Sequence, residues 1–578
     1  MRNVLCLVLL VPVFALAAGN LSSDAVVAPP PGPAGAHSTW TGGRPVPPPK
    51  ATRLGTVDTV GGTIYDWVAN GPTYRFCVNA PGYGLHMLWM YSNDTTGTQT
   101  DRNMRYQFYD YATHSYNWID PDYMASGVNT FVERTGFGSL SYDVSNGAAV
   151  ASAHGGAIRP IAARDIAAGA GIFEYCDGSP VLDGYLWPPI DVGMNQTIHM
   201  HCIDDASRGN LWYSRAATWC NWDPPAMVPA VPPTFPTQTI VASKHSDKVV
   251  LAWEGEGVTP MPGLYRVSND GGTNWDPEVD FGYPPAYSAD TGCSYWIQSV
   301  NPFLDAQDRL HIVVNTIPII NDTIFIFPNE IWHWCQDNSP EWSFIGRAFL
   351  DPHSSGPGTN ATMACRPMLG ADDDGHLVCT WEQFDSTNVD PTTLLFRADI
   401  WIAGSSDNGM TWTEPRYVNE HGEGSCRFPS ISDLAIEGDP DTFAILYQID
   451  SMAGFRAGSS PVGVWSFNPM VLQKIPADSI FIGIAETPGA APTRFELSAR
   501  PNPFGSRTVV SYAVPRTGDV SLVVYDAAGR PVKTLASGRR AAGRYAATWN
   551  ADGIAAGVYF YTLTSGNTSV TKKLTLAH

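Results

Sequence analysis

Ser268-Asn269-Asp270-Gly271-Gly272-Thr273-Asn274-Trp275 returns, altered but intact in plan, as Ser405-Ser406-Asp407-Asn408-Gly409-Met410-Thr411-Trp412. Both read S-x-D-x-G-x-x-W, and each element has a physical reason. An Asp side chain accepts bonds from the backbone N–H groups of a tight turn. A Gly takes the positive φ that other residues resist. A Trp packs back into its own sheet and buries a large apolar face. A degenerate third copy runs from Asp337 to Trp342, and in all three the Asp precedes the Trp by five residues.

Outward from each box the chain reads as short strands. Ile240-Val241-Ala242, Val249 to Glu254 and Tyr265-Arg266-Val267 precede the first box. Cys365 to Leu369, His376 to Glu382 and Asp399 to Ile402 precede the second. Fainter units end at Trp118, Trp222 and Trp342, while 139–173 and 428–467 carry strands without a box. This makes seven units of roughly 45–70 residues, the spacing of a repeat architecture. A small antiparallel sheet cannot bury both faces alone, and stacking such sheets radially gives a β-propeller. The last unit looks one strand short, and Thr63-Ile64-Tyr65-Asp66-Trp67 is expected to supply it. Six blades is the alternative, should 139–173 be an insertion.

The full reading is all-β. Residues 1–18 read as a signal peptide: Arg2, then an apolar run to Ala18. Residues 19–53 are a Pro/Gly-rich linker, 54–483 the propeller, 484–493 a second linker and 494–578 a small β-sandwich. After signal removal no apolar stretch is long enough for a membrane helix. The formal net charge of −21 argues against nucleic acid as partner, since phosphate binding needs a basic face.

The C-terminal stretch carries Pro501-Asn502-Pro503-Phe504, Val524-Tyr525-Asp526, Gly529-Arg530, Gly557-Val558-Tyr559-Phe560-Tyr561 and a terminal strand with Lys572 and Lys573. It resembles the sorting domains of type IX secretion cargo and the immunoglobulin-like domain of flagellar hook-capping proteins. That resemblance implies delivery by outer-membrane secretion machinery, and a secreted or cell-surface location in a Gram-negative-type bacterium.

The repeats resemble the sialidase-like (BNR, or Asp-box) propellers. In that family the boxes lie on the outer rim, which implies structural roles for Ser268, Asp270, Gly272, Trp275, Ser405, Asp407, Gly409 and Trp412. The resemblance also implies a search for three arginines, a Tyr–Glu pair and an acidic Asp. Arg75, Arg366 and Arg427 recur at first-strand positions, Glu254 and Glu382 close second strands, Tyr447 lies in another, and Asp94 follows the first unit's second strand. The family's early Arg-Ile-Pro motif has no clean counterpart; Arg159-Pro160-Ile161 is nearest by letters. The expected function is therefore binding of an extracellular glycan or protein, with a sialidase-like exo-glycosidase as alternative.

Nine cysteines remain after Cys6 leaves with the signal peptide. Cys365 and Cys379, flanking a turn, and Cys202 and Cys220 are the candidate disulfides. No cofactor is implied, although Ca2+ would suit the acidic turns at Asp372–Asp374 and Asp204-Asp205. His199 and His201 read as ordinary strand residues.

Overall fold

The computed structural model describes residues 53–481 and 496–576, apart from 70–73, 157, 207–209, 229–237, 256–260, 285–292, 321–322, 325–328, 349–355, 359–360, 438–440, 458–460 and single or paired residues after 500. The signal-peptide and linker readings for 1–52 and 484–493 lie outside the described residues. The chain divides into two compact units between Phe481 and Ile482.

Among the described residues of the first unit seven antiparallel sheets follow one another along the chain. Their first strands are Cys77–Ala80, Thr135–Tyr142, Ile190–Val192, Thr239–Ala242, Cys293–Leu304, Ala364–Ala371 and Ser425–Ile431; we number the sheets one to seven accordingly. Each first strand packs on the first strand of the next sheet, and that of sheet seven packs on that of sheet one. The apolar clusters lie between successive sheets. One joins Ile203, Leu211 and Tyr213 of sheet three to Trp253 and Leu264 of sheet four; another joins Val313 of sheet five to Trp381 and Phe396 of sheet six. Burial on both faces explains why the strands are apolar runs rather than strict alternations. Trp89, Trp253 and Trp381, at matching second-strand positions of sheets one, four and six, are fully buried.

Residues 139–173, which carried no box, lie within a complete four-stranded sheet, sheet two. The missing strand of sheet seven comes from the chain's start, but one element earlier than expected. Thr56–Thr63 pairs with Asn468–Pro476, Thr56 facing Lys474 and Thr63 facing Asn468. Only Thr63 of the expected stretch takes part. Its hydroxyl accepts the N–H of Tyr65 and of Ser92, turning the chain out of the strand.

Neither expected disulfide forms. Cys176 bonds to Cys220, joining the outer strand of sheet two to the turn after the third strand of sheet three. Cys202 instead sits in the central strand Ile198–Asp204, fully buried. Cys379 faces Leu369 and Cys365 faces Glu382, because the hairpin turns two residues later than symmetry about Asp372 requires and carries a bulge.

The second unit packs a three-stranded sheet (Glu496–Arg500, Arg507–Val514, Gly543–Asn550) on a four-stranded one. Val520, Leu522 and Val524 alternate inward to meet Tyr512 and Trp549, the period-two pattern of a sandwich core.

Candidate functional site

In an antiparallel sheet the start of strand one, the end of strand two and the start of strand three share one edge. Around the seven sheets these edges make one face of the ring, and the sequence breaks regular pairing there repeatedly. Register shifts follow Gly136, Gln298, Cys365 and Arg427 in the first strands. Phe137, Ser299, Arg366 and Phe428 sit in these bulges at φ of 54°, 51°, 57° and 56°. In sheet three the first-strand pairing is split around Trp187, at φ 46°. An L-residue held left-handed costs about 1–2 kcal/mol, and bulges concentrate beside functional rims.

The bulges are clasped by the preceding sheet. The N–H of Ser299 donates to Glu254 Oε1 (2.7 Å), that of Phe428 to Glu382 Oε2 (2.8 Å) and that of Phe137 to Met90 Sδ (3.4 Å). Each acceptor follows a buried second-strand Trp, in Trp89-Met90, Trp253-Glu254 and Trp381-Glu382.

Two of the three sequence-predicted arginines meet here. Arg366 Nη1 and Arg427 Nη2 both donate to Glu382 Oε1, and Arg427 Nε donates to Oε2 at 3.2 Å. Burial pushes the Glu382 pKa up, but the two guanidiniums prevail and hold it at about 2. The Arg427 guanidinium lies 4.8–4.9 Å from the ring centres of Phe384, Phe428 and Phe455. Arg75 stands apart: it donates to Ile431 O (2.8 Å) and Leu369 O (3.0 Å). It lines a small cavity of about 40 Å³ with Tyr74, Ser139, Asp191, Thr239 and Asn301, all from or beside first strands. Tyr447 donates to Gln473 Oε1 (2.7 Å), and burial raises its phenol far above the usual range. The expected trio of arginines with a Tyr447–Glu382 pair is therefore not assembled. Asp94 is unsuited as an acid, because Thr96, Thr98 and Thr100 donate to its carboxylate and hold its pKa well below the usual range.

The sequence reading missed two further groups on this face. Asp66 accepts the N–H groups of Arg456 and Ala457, and Asp450 that of Met452. Burial raises their pKa values to about 6 and about 7. Arg102, Arg134, Phe137, His154 and Trp187 gather at the start of sheets two and three. None of these residues belongs to a local motif, so no signal in the sequence marks them.

The two Ser-x-Asp-x-Gly-x-x-Trp turns lie at the other end of the strands, between third and fourth. Asp270 Oδ1 accepts the N–H of Thr273 (3.1 Å) and Asn274 (2.8 Å), and Asp407 Oδ1 that of Thr411 (2.8 Å). Ser268 and Ser405 hydroxyls accept the N–H of Gly272 (2.9 Å) and Gly409 (2.8 Å). The tryptophans pack on the preceding sheet rather than into their own. Trp275 meets the Tyr213 ring edge-on at 4.8 Å, and Trp412 Nε1 donates to Ser343 Oγ at 3.0 Å.

Asp372 binds the backbone N–H and Nδ1 of His376 (2.8 and 2.7 Å), and Asp374 is exposed in the same turn. His199 and His201 are core residues, bonded to Tyr213 Oη and Thr239 O. Among the described residues no group of three or more His, Cys, Asp or Glu side chains could hold a metal ion. No described helix is long and apolar enough to cross a membrane.

Residues 499–577 match the family described as the secretion system C-terminal sorting domain. The chain thus carries a type IX secretion signal and an extracellular or cell-surface destination. No curated protein matches the chain. Among solved structures it is similar to a polysaccharide lyase of family PL25, an ulvan lyase (TM-score 0.42, 12% identity, covering 71% of this chain and 97% of that one). It is also similar to the polysaccharide lyase Uly1 (0.38, 10%, 70% and 90%) and to the six-bladed propeller lectin of Aleuria aurantia (0.30, 8%, 54% and 87%).

Proposed function

We propose that the chain is a seven-bladed β-propeller of the Asp-box kind, exported from a Gram-negative-type bacterium by an immunoglobulin-like sorting domain, that binds an extracellular glycan or protein at the bulged mouth of the ring. The observation that carries this reading is the cycle of first strands around a cavity lined by Arg75, Ser139, Asp191, Thr239 and Asn301. Residues 1–18 act as signal peptide in this reading, and Ca2+ is the ion that the Asp372–Asp374 turn would take.

Exo-glycosidase action is the second reading. Asp450 favours it, since a carboxyl whose pKa burial raises to about 7 suits general-acid work. The test is the full chain on a glycan array and on a panel of fluorogenic glycosides including a sialoside. Selective glycan binding without turnover supports the binding reading. Turnover that disappears in Asp450→Asn establishes the enzyme reading instead.

A further inference from the structure

Arg102 and Arg134 stand side by side at the bulged mouth. Arg102 is 8% exposed; its Nε donates to Thr135 O (2.9 Å) and its Nη1 to Tyr65 Oη (3.3 Å). Arg134 is exposed, and its Nε donates to Gln99 O (2.7 Å), the carbonyl that also accepts the N–H of Arg102. All these acceptors are neutral. Among the described residues neither guanidinium forms an ion pair. The carboxylates next to them in sequence are turned elsewhere. Glu133 binds Arg159 (3.0 Å) and the Tyr175 hydroxyl, and Asp101 binds Ser92 Oγ and the Asn93 N–H. Burial and the neighbouring charge of Arg102 both depress the Arg134 pKa. In a chain of formal charge −21, two adjacent cations with no counter-ion are an exception that calls for an anion.

A second observation points to what carries that anion. Phe137 stacks on His154 (5.4 Å between ring centres, 14° between planes), and His154 meets Trp187 edge-on (6.3 Å, 75°). All three rings are half-buried. Phe137 and Trp187 are two of the left-handed bulge residues, so backbone strain is spent holding these rings at the rim. The Arg102 guanidinium lies 5.4 Å from the Phe137 ring centre, joining the row to the charge.

We propose that Arg102 and Arg134 hold the anionic group of an acidic sugar, a carboxylate or a sulfate ester, while the sugar ring lies along Phe137, His154 and Trp187. A planar guanidinium matches either group with paired hydrogen bonds. The proposal rests on the glycan-binding reading above and names its ligand class.

The test measures affinity of the full chain for polygalacturonate, dextran sulfate and uncharged dextran, beside Arg134→Gln, Trp187→Ala and, as a control, Arg164→Gln. Arg134 is exposed, so its replacement leaves the fold in place, and circular dichroism verifies this for each variant. The expected result is binding to one or both polyanions and not to dextran. It weakens about tenfold or more in Arg134→Gln and Trp187→Ala and is unchanged in Arg164→Gln. Which polyanion binds separates carboxylate from sulfate. Equal loss in the control, or no loss in either site variant, overturns the proposal. Binding to uncharged glycans alone overturns the proposal while leaving the glycan-binding reading standing; a chain that binds no glycan at all overturns both.

Discussion

Glu254 accepts the backbone N–H of Ser299 at 2.7 Å and so fastens a left-handed serine of one sheet to the second strand of the sheet before it. Glu382 does the same for Phe428 and also carries two buried arginines. Replacing Glu254 by Ala leaves a buried donor unsatisfied, at about 1–3 kcal/mol. Replacing Glu382 by Ala removes the carboxylate that Arg366 and Arg427 share and should cost about 3–5 kcal/mol. Urea unfolding of the two variants checks the order; equal costs would show that the arginines do not depend on Glu382.

Asp66 and Asp450 make the first unit sensitive to pH. Burial raises them to about 6 and about 7, against about 3.9 in an unfolded chain. Between these values the folded state binds more protons than the unfolded one. The contribution of the pair is therefore most favourable below about pH 4, falls as pH rises to about 7, and is constant above. Asp66→Asn with Asp450→Asn removes this slope. Urea midpoints from about pH 4.5 to about 7.5 test it, and parallel slopes in the parent and the double variant would refute it.

Two neighbouring glycines separate backbone strain from collision. Gly271 and Gly272 have φ of +65° and +77°, but a Cβ on Gly271 meets nothing within 4 Å, while one on Gly272 falls 1.8 Å from Tyr213 Oη. Gly271→Ala should cost about 1–2 kcal/mol from strain, and Gly272→Ala more than about 3 kcal/mol. Thermal unfolding of the pair decides this.

The Cys176–Cys220 bond closes a loop of 44 residues in sequence separation, worth about 4 kcal/mol if the whole effect is loss of unfolded-chain entropy. Cys77, Cys202, Cys335, Cys365, Cys379 and Cys426 are free and buried. An alkylating reagent should label none of these six in the native protein and all of them after unfolding. Peptide mass spectrometry reads both outcomes, and native labelling of Cys202 would contradict its placement in the sheet core.

What the sequence displays plainly is what local chemistry decides. The Asp270 and Asp407 turns are read from eight residues each, because donor, acceptor and glycine all lie within the turn. The same holds for the alternation of Val520, Leu522 and Val524. What stays hidden depends on residues far apart in the chain. Phe137 and Phe428 bear no mark of a left-handed backbone, since each bulge is held by a residue of the preceding sheet, Met90 or Glu382, rather than by a glycine. Cys176 finds Cys220 only because sheets two and three stack, and sequence spacing favoured Cys202 instead. Arg366 and Arg427 were legible only as two of a trio with Arg75, through their first-strand positions; Arg102 and Arg134, in the approaches to other strands, were not.

Thr56–Thr63 lies beside Asn468–Pro476, so the two ends of the first unit are woven into one sheet. A single protease nick in any loop between the other sheets would leave both fragments gripping each other through that sheet and through the neighbouring faces. For a protein released among extracellular proteases, this is tolerance to damage built into connectivity: a cut chain can go on behaving as a whole one until a second cut frees a sheet.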